Sequence, residues 1–389
     1  MSQKSIARVG RRGVSDVSGT LTAVISCRCE IAPPSLLLRV AERGGREARD
    51  AALRTLLTSA ALRSRRTALG ATLRRFGLSP ADLEFLPAQA PATGPENTVY
   101  DVAGGGEEAL PGRRVRGTDD PPTGDAAVDQ AFDGAATTAT FYREVFGRDS
   151  VDGRGLDLVS SVHFGRRYDN AFWTGDQMVY GDGGGGVFVP GGLTRSLAVI
   201  AHELTHGVTQ FSAGLAYRGQ SGALNESFSD VFGVLVEHRA GDVDAASASW
   251  LVGEGILEPS LGGALRNMIA PGTAYSGDDQ PADMDAYADL PVDDDPRNDN
   301  GGVHINSGIP NRAFAEAART LGGRAWETVG PVWYEVLTGG RLAPTADFAA
   351  CAALTVRVAG ERYGEGSAQQ DAVRGGWEAV KVRLPADPR

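Results

Sequence analysis

Residues 202–206 read His-Glu-Leu-Thr-His, and Glu226 follows twenty residues later within Asn-Glu-Ser-Phe-Ser-Asp. On a helix, residues four apart lie one turn above one another, so His202 and His206 can present both imidazoles to one zinc ion. Glu203 between them can poise a zinc-bound water, taking its proton and passing it to a leaving amine. A carboxylate on a second helix, Glu226, completes three protein ligands and leaves a fourth position open. Position 212 is serine, which rules out the extended three-histidine zinc motif. Asn225 and Asp230 can accept the remaining ring N–H groups and so fix the tautomers. A solvated acid or plain ion pair is the competing reading for Asp230. For the whole motif, the competing reading is two histidines on a polar helix face.

These residues need two helices. Thr194–Phe211 carries Leu197, Ile200, Leu204 and Val208 at helical spacing, with Thr194 as the expected N-cap. A second helix is expected over Ala223–Arg239. Upstream, Asp125–Phe146 reads as a helix, Asp157–Phe164 as a strand, and Asn170–Tyr180 includes a further strand. The Gly-rich loop Asp182–Gly186 is no phosphate loop, because no Gly-Lys-Ser/Thr follows. After Asn311 the pattern is helical, with breaks at Gly339–Gly340 and Gly364–Gly366. Near the start, Pro33 and Pro34 impose an extended Cys27–Pro34. Leu36–Ala41 and Arg46–Arg65 read as helices, and residues 1–20 as a polar disordered start. Pro80, Pro87, Pro91 and Pro95 mark a linker over 77–96. A boundary is therefore expected near residues 90–97, separating 1–95 from the rest; the further division into 96–210 and 211–389 is what the family resemblance given below implies.

The 389 residues, 42% hydrophobic and 22% charged, suit a soluble globular protein with a large core. No run reaches the length of a membrane span. Leu21–Ile25 is too short for an ordinary secretory h-region, which argues against the standard export route and not against export, and leaves cytoplasmic residence and non-classical export both open. Cys27, Cys29 and Cys351 are too few for a disulfide framework. Residues 1–90 hold 15 Lys and Arg against 7 Asp and Glu, a balance of +8; the rest hold 23 against 42, or −19. Such asymmetry suggests that a basic segment docks on an acidic body. The arginines lie among leucines and alanines without stacking aromatics, which argues against nucleic acid.

The chain resembles the thermolysin (bacillolysin-type) family of zinc endopeptidases. The resemblance rests on Tyr168-Asp-Asn-Ala-Phe-Trp173, Met178-Val-Tyr-Gly-Asp182, Val199-Ile-Ala-His-Glu-Leu-Thr-His-Gly207, Gly222-Ala-Leu-Asn-Glu-Ser-Phe-Ser-Asp230 and Asp299-Asn-Gly-Gly-Val-His-Ile-Asn-Ser-Gly308. It spans residues 97–389. Residues 20–65 are similar to the short propeptide of the protealysin subgroup, through Cys-Glu-Ile-Ala-Pro-Pro-Ser-Leu at 29–36.

The resemblance implies an α+β, two-subdomain zincin. A β-rich N-terminal and a mostly α-helical C-terminal subdomain would follow a small helical propeptide. It implies His202, His206 and Glu226 as ligands of one zinc, with Glu203 as base. His304 and Tyr217 would stabilise the oxyanion, and Asp299 would orient His304. Arg266 would bind a substrate carbonyl, and Asn170 and Ala171 the peptide backbone by strand addition. Leu193, Val199 and Leu265 would form the apolar pocket after the scissile bond, giving cleavage before bulky apolar residues. Glu237 and Glu254 are the remaining candidate calcium ligands. Ala198, Ser249 and Leu251 replace others, so calcium is expected to be depleted there. The substrates would be peptides or proteins, and the propeptide an intramolecular inhibitor of a secreted, monomeric enzyme. Cys27 or Cys29 could bring a thiolate to the zinc, or could simply be packed in the prosegment. The competing functions are a zinc aminopeptidase and a latent, non-catalytic binding protein.

Overall fold

A computed structural model describes residues 29–75 and 95–384 of the chain. The expectations for residues 1–20, for Cys27 and for most of the 77–96 linker fall outside the described residues. Residues 29–32 run extended into Pro33 (φ −58°, ψ 136°), and α1 (Pro34–Arg43) starts at the next residue. Proline fits a first helical position because no N–H is needed there. The Pro33 carbonyl accepts from the Leu36 and Leu37 N–H groups. Helix α2 (Arg46–Arg75) runs beyond the expected Arg65 and buries Ala51, Ala52 and Leu56.

Five strands form a mixed sheet in the order β2-β1-β3-β5-β4. They are β1 (Asn97–Asp101), β2 (Arg113–Arg116), β3 (Leu158–Val162), β4 (Ala171–Trp173) and β5 (Met178–Tyr180). The strand expected within Asn170–Tyr180 is the antiparallel pair β4–β5, turned at Thr174–Gln177. Helix α3 (Ala126–Phe146) starts on Asp125, whose carboxylate accepts from the Ala127 and Val128 N–H groups. Strand β4 is the sheet's edge, and Glu30 pairs with Phe172 antiparallel on its open side.

Helix α4 (Leu197–Gln210) is shorter at its start than expected. Its N-cap is Ser196, whose Oγ accepts from the Val199 N–H. Thr194 instead lies in a separate single turn, Gly192–Arg195, and donates to Gln130. Helix α5 (Gly219–Gly241) extends the expected one at both ends. The two helices approach closely at Gly233: a Cβ there would lie 2.7 Å from the Ala198 carbonyl oxygen. Only glycine permits that distance, which lets a carboxylate on α5 reach histidines on α4.

A short ribbon, β6 (Leu251–Val252) with β7 (Arg266–Asn267), follows. Helix α6 (Asp299–Asn306) contains Asp299, Asn300, Gly301 and Gly302 at φ 46°, 50°, 84° and 75°. Four left-handed residues in a row make its first turn a tight loop rather than helix. The C-terminal part is α7 (Gly308–Leu321), α8 (Gly330–Thr338), α9 (Phe348–Tyr363) and α10 (Ala368–Ala379). Sheet, prosegment and helices share one continuous buried core that includes Ile31, Leu37, Val199, Phe232, Leu265 and Trp333.

Candidate active site

His202 and His206 lie buried on the inner face of α4. The Nδ1 atom of His202 sits 2.8 Å from Asp230 Oδ1, and that of His206 2.8 Å from Asn225 Oδ1. Each ring donates there and turns the lone pair of Nε2 inward. The two Nε2 atoms stand 3.0 Å apart, and each lies 3.5 Å from a Glu226 carboxylate oxygen. Facing lone pairs at that separation repel unless a cation shares them. The donor set of two imidazoles and one carboxylate is one that zinc favours. Burial, followed by His202, holds the His206 pKa well below its usual value, so the ring stays neutral as a ligand must be.

Glu203 is fully buried, and among the described residues neither carboxylate oxygen has a hydrogen-bond partner of good distance and angle. Burial, then the Glu226 and Glu30 carboxylates, push its carboxyl well above the usual range. A cation on the histidines would oppose that shift, since a bound metal is the largest local charge. Orphaned acidic oxygens and inward-facing lone pairs together fit a zinc site.

Asp230 holds the outer layer together. It accepts two hydrogen bonds from Arg266 at 2.7 Å and one from Asn311 at 2.8 Å. Burial alone would raise its carboxyl, but Arg266 and His202 hold it well below the carboxylate range. On the opposite wall, the His304 Nδ1 lies 2.6 Å from Asp299 Oδ1, and its backbone N–H donates to the other Asp299 oxygen. Burial would lower the imidazole pKa, but Asp299 and Glu226 outweigh it and lift it to about 10. The ring is therefore doubly protonated, and its Nε2 donates to the Glu30 carbonyl at 2.7 Å. Tyr217 lies 3.2 Å from the same nitrogen and donates to Glu226 Oε1. The left-handed turn positions this wall: it swings the Asp299 carboxylate under His304, and Asn300 donates to the Tyr217 carbonyl.

The prosegment crosses the site. Ile31 N–H donates to the Ala171 carbonyl at 3.1 Å, and Ala32 N–H to Asn170 Oδ1 at 2.9 Å. Arg266 Nη1 donates to the Ile31 carbonyl at 3.1 Å, and Asn170 Nδ2 to the Glu30 carboxylate at 3.0 Å. Donor atoms of Cys29, His206 and Glu226 lie within 4.8 Å of one another, all buried. Leu193, Val199 and Leu265 are fully buried in the core that also holds Ile31.

The candidate residues for zinc, oxyanion and peptide backbone therefore converge on one cleft. Glu237 and Glu254 lie apart as a pair, with burial and then Glu254 raising the Glu237 carboxyl, while Ser249 Oγ donates to Glu254 at 2.8 Å. Sequence reasoning missed four contributors. Ser229, 3.0 Å from His206 Nδ1, stands one turn from Asn225 within the same motif and could have been found there. Asn300 and Glu30 adjoin residues that were singled out. Asn311 arrives from α7 with no local signal.

Family models of the thermolysin metallopeptidase catalytic domain and the thermolysin metallopeptidase alpha-helical domain match residues 93–210 and 213–382. An extracellular metalloprotease of Pectobacterium carotovorum subsp. carotovorum is 41% identical over 363 residues, 92% of this chain and 97% of that one. Protease PrtS of Photorhabdus sp. (strain Az29) is 43% identical over 298 residues, 75% and 78% of the two chains. Among solved structures, the precursor of protealysin, a metalloproteinase from Serratia proteamaculans, aligns with a TM-score of 0.77 and 40% identity. That alignment covers 91% of this chain and all of that one. Domain models, curated relatives and the solved precursor structure agree: the chain belongs to the thermolysin family of zinc metalloendopeptidases.

Proposed function

We propose that the structure is the latent precursor of a neutral zinc endopeptidase that cuts before bulky apolar residues and is blocked by its own residues 1–95. The carrying observation is the inward pair of Nε2 atoms 3.0 Å apart beside Glu226, with residues 29–32 laid across them. His202, His206 and Glu226 would hold a zinc ion, which when bound would supply Lewis acidity and activate a water at neutral pH. Glu203 accepts the proton released in the attack and delivers it to the leaving amine. His304 and Tyr217 donate to the carbonyl oxygen as negative charge develops, and Asp299 keeps the His304 ring oriented and charged. Asn170, Ala171 and Arg266 hold the substrate backbone as an added strand on β4.

In the precursor, residues 29–32 use those same groups, and Cys29 offers a sulfur at the metal position. Removing the prosegment at a site near residue 95 would free the cleft between the 96–210 and 211–389 parts. The extracellular naming of the Pectobacterium relative favours an exported enzyme. Among the described residues, no helix is long and apolar enough to cross a membrane. A monomer acting on peptides, with neither nucleic acid nor membrane as a partner, suits this reading.

The test uses the processed protein and an N-blocked peptide containing one Leu. Internal cleavage before Leu is expected. Glu203→Gln should lower the rate by about 10²–10⁴-fold while zinc remains bound. Elemental analysis of both proteins should find zinc and no calcium retained at Glu237 and Glu254. Activity only on unblocked peptides would establish an aminopeptidase instead. Undiminished activity in Glu203→Gln would remove Glu203 from the mechanism.

A further inference from the structure

We infer that Gln280 is a positioning residue for His304: it pins the backbone that aims the ring proposed to donate to the oxyanion. This rests on the role of His304 in the proposed function and adds a residue to it.

The direction of a ring is set by its Cα–Cβ bond, and that bond follows the peptide planes on either side. At His304 both planes are held by side chains. Asp299 Oδ2 accepts from the His304 N–H in the plane before it and, at 3.1 Å, from the Ile305 N–H in the plane after it. The carbonyl end of that second plane is the His304 oxygen, and Gln280 Nε2 donates to it at 2.8 Å. Held at its N–H alone, the plane could rock about the Asp299 contact and carry the ring with it. Gln280 removes this freedom. The need is local, because Asp299 to Gly302 are left-handed and no regular helical turn precedes His304 to steady it.

The Gln280 amide can face only one way. The His304 carbonyl accepts and cannot donate. Ser307 Oγ gives its proton to the same carbonyl at 2.8 Å, and so accepts from Gln280 Nε2 at 3.0 Å. Gln280 is buried, and among the described residues its Oε1 has no hydrogen-bond partner. A buried acceptor left alone lowers stability. Methionine, of similar length, would remove that cost while Ser307 still served the carbonyl. Glutamine is thus the less stable choice here, and what it adds is a second hold on His304.

The anchor itself is firm. Gln280 ends a loop that follows β7, and the Asp278 carboxylate closes this loop by accepting from the Ala274 N–H at 3.0 Å and the Gln280 N–H at 3.1 Å. The loop lies against Gly308, the first residue of α7. A Cβ there would come within 2.9 Å of the Pro281 carbonyl oxygen and 3.1 Å of the Gln280 Cβ, so glycine permits the approach.

The test uses processed enzyme prepared from the full chain and an N-blocked peptide containing one Leu. Four forms are compared: wild type, Gln280→Met, His304→Ala and the double variant. His304→Ala should lower kcat about 10²–10³-fold, the usual loss for one oxyanion donor. Gln280→Met should lower kcat about tenfold with KM within about twofold of wild type, because the hold matters as charge develops on the oxygen. Its denaturation midpoint and zinc content should match wild type. In the His304→Ala background the same substitution should change kcat less than about twofold, since no ring is left to aim. Ser307→Ala removes the other hold on the carbonyl and should lower kcat with the same dependence on His304; it serves if Gln280→Met does not fold. An unchanged kcat in the variant that folds, or an equal loss with and without His304, overturns the inference. If His304→Ala itself leaves kcat unchanged, the proposed function loses its oxyanion donor and the role of Gln280 falls with it.

Discussion

Asp230 shows how one carboxylate can govern a site that it does not complete. It binds His202 on one side and Arg266 on the other, and Arg266 in turn reaches the peptide lying in the cleft. Removing a partner from a buried charge pair leaves the other charge uncompensated, which costs about 3–5 kcal/mol. It also frees the ring of a metal ligand, typically lowering metal affinity roughly 10–100-fold. Asp230→Ala should therefore show both effects: a lower denaturation midpoint and faster zinc loss to a competing chelator. Asn225→Ala should show the second with less of the first, because no buried cation depends on Asn225. Equal zinc retention in wild type and Asp230→Ala would remove Asp230 from the metal's support.

At the scale of elements, much of the site was legible because its residues sit on single helices with fixed spacing. His202, Glu203 and His206 needed only the 3.6-residue repeat, and Asn225, Glu226 and Asp230 only the next helix. The N-cap was misplaced because Thr194 and Ser196 are both good caps and two residues apart. Which one serves depends on Thr194 being held by Gln130 on α3, a tertiary contact. Asn311 was invisible for the same reason. His163 belongs here too, as the tie between three elements. Following β3 at φ 58°, it bonds Asp182 of the Gly-rich loop at 2.7 Å and the α3 cap Asp125 at 3.1 Å. The Asp182 hydrogen bond leads the causes that outweigh burial and raise its pKa from 6.5 to about 9. A folded pKa above the unfolded one stabilises fully below the unfolded value, and that stability is lost as pH rises through about 9. Both carboxylates are near half exposed, so solvent reduces the effect to about 1 kcal/mol or less. Denaturant unfolding should find His163→Gln less stable than wild type near pH 6 and nearly equal near pH 10. A gap that does not change with pH would mean that the ring's shape matters and its charge does not.

For the whole molecule, the charge imbalance between a +8 segment and a −19 remainder suggests that attraction of opposite charges holds the prosegment down. The described contacts are of another kind. Backbone groups of Glu30, Ile31 and Ala32 meet Ala171, Asn170, Arg266 and His304. Ala51 and Ala48 pack under the Gly-rich loop, where a Cβ on Gly185 or Gly186 would come within 2.9 and 2.4 Å of their methyls. Thr55 accepts from the Asp169 N–H, and Ser59 hydrogen-bonds Tyr168. Arg39 reaches a carbonyl, that of Gly277, rather than an acid. The ion pair that the described residues make across this boundary, Arg167 with Glu47, puts the acid on the prosegment. Salt screens exposed charges over about 10 Å at 0.1 M but leaves buried hydrogen bonds and apolar packing nearly untouched. The unprocessed precursor should therefore stay latent as salt rises, its residual peptide hydrolysis changing less than about threefold between roughly 0.05 and 0.5 M NaCl. Guanidinium chloride at the same ionic strength should release it, because that salt also weakens apolar burial. A tenfold or greater loss of latency in NaCl alone would return the docking to the long-range charge of the two parts.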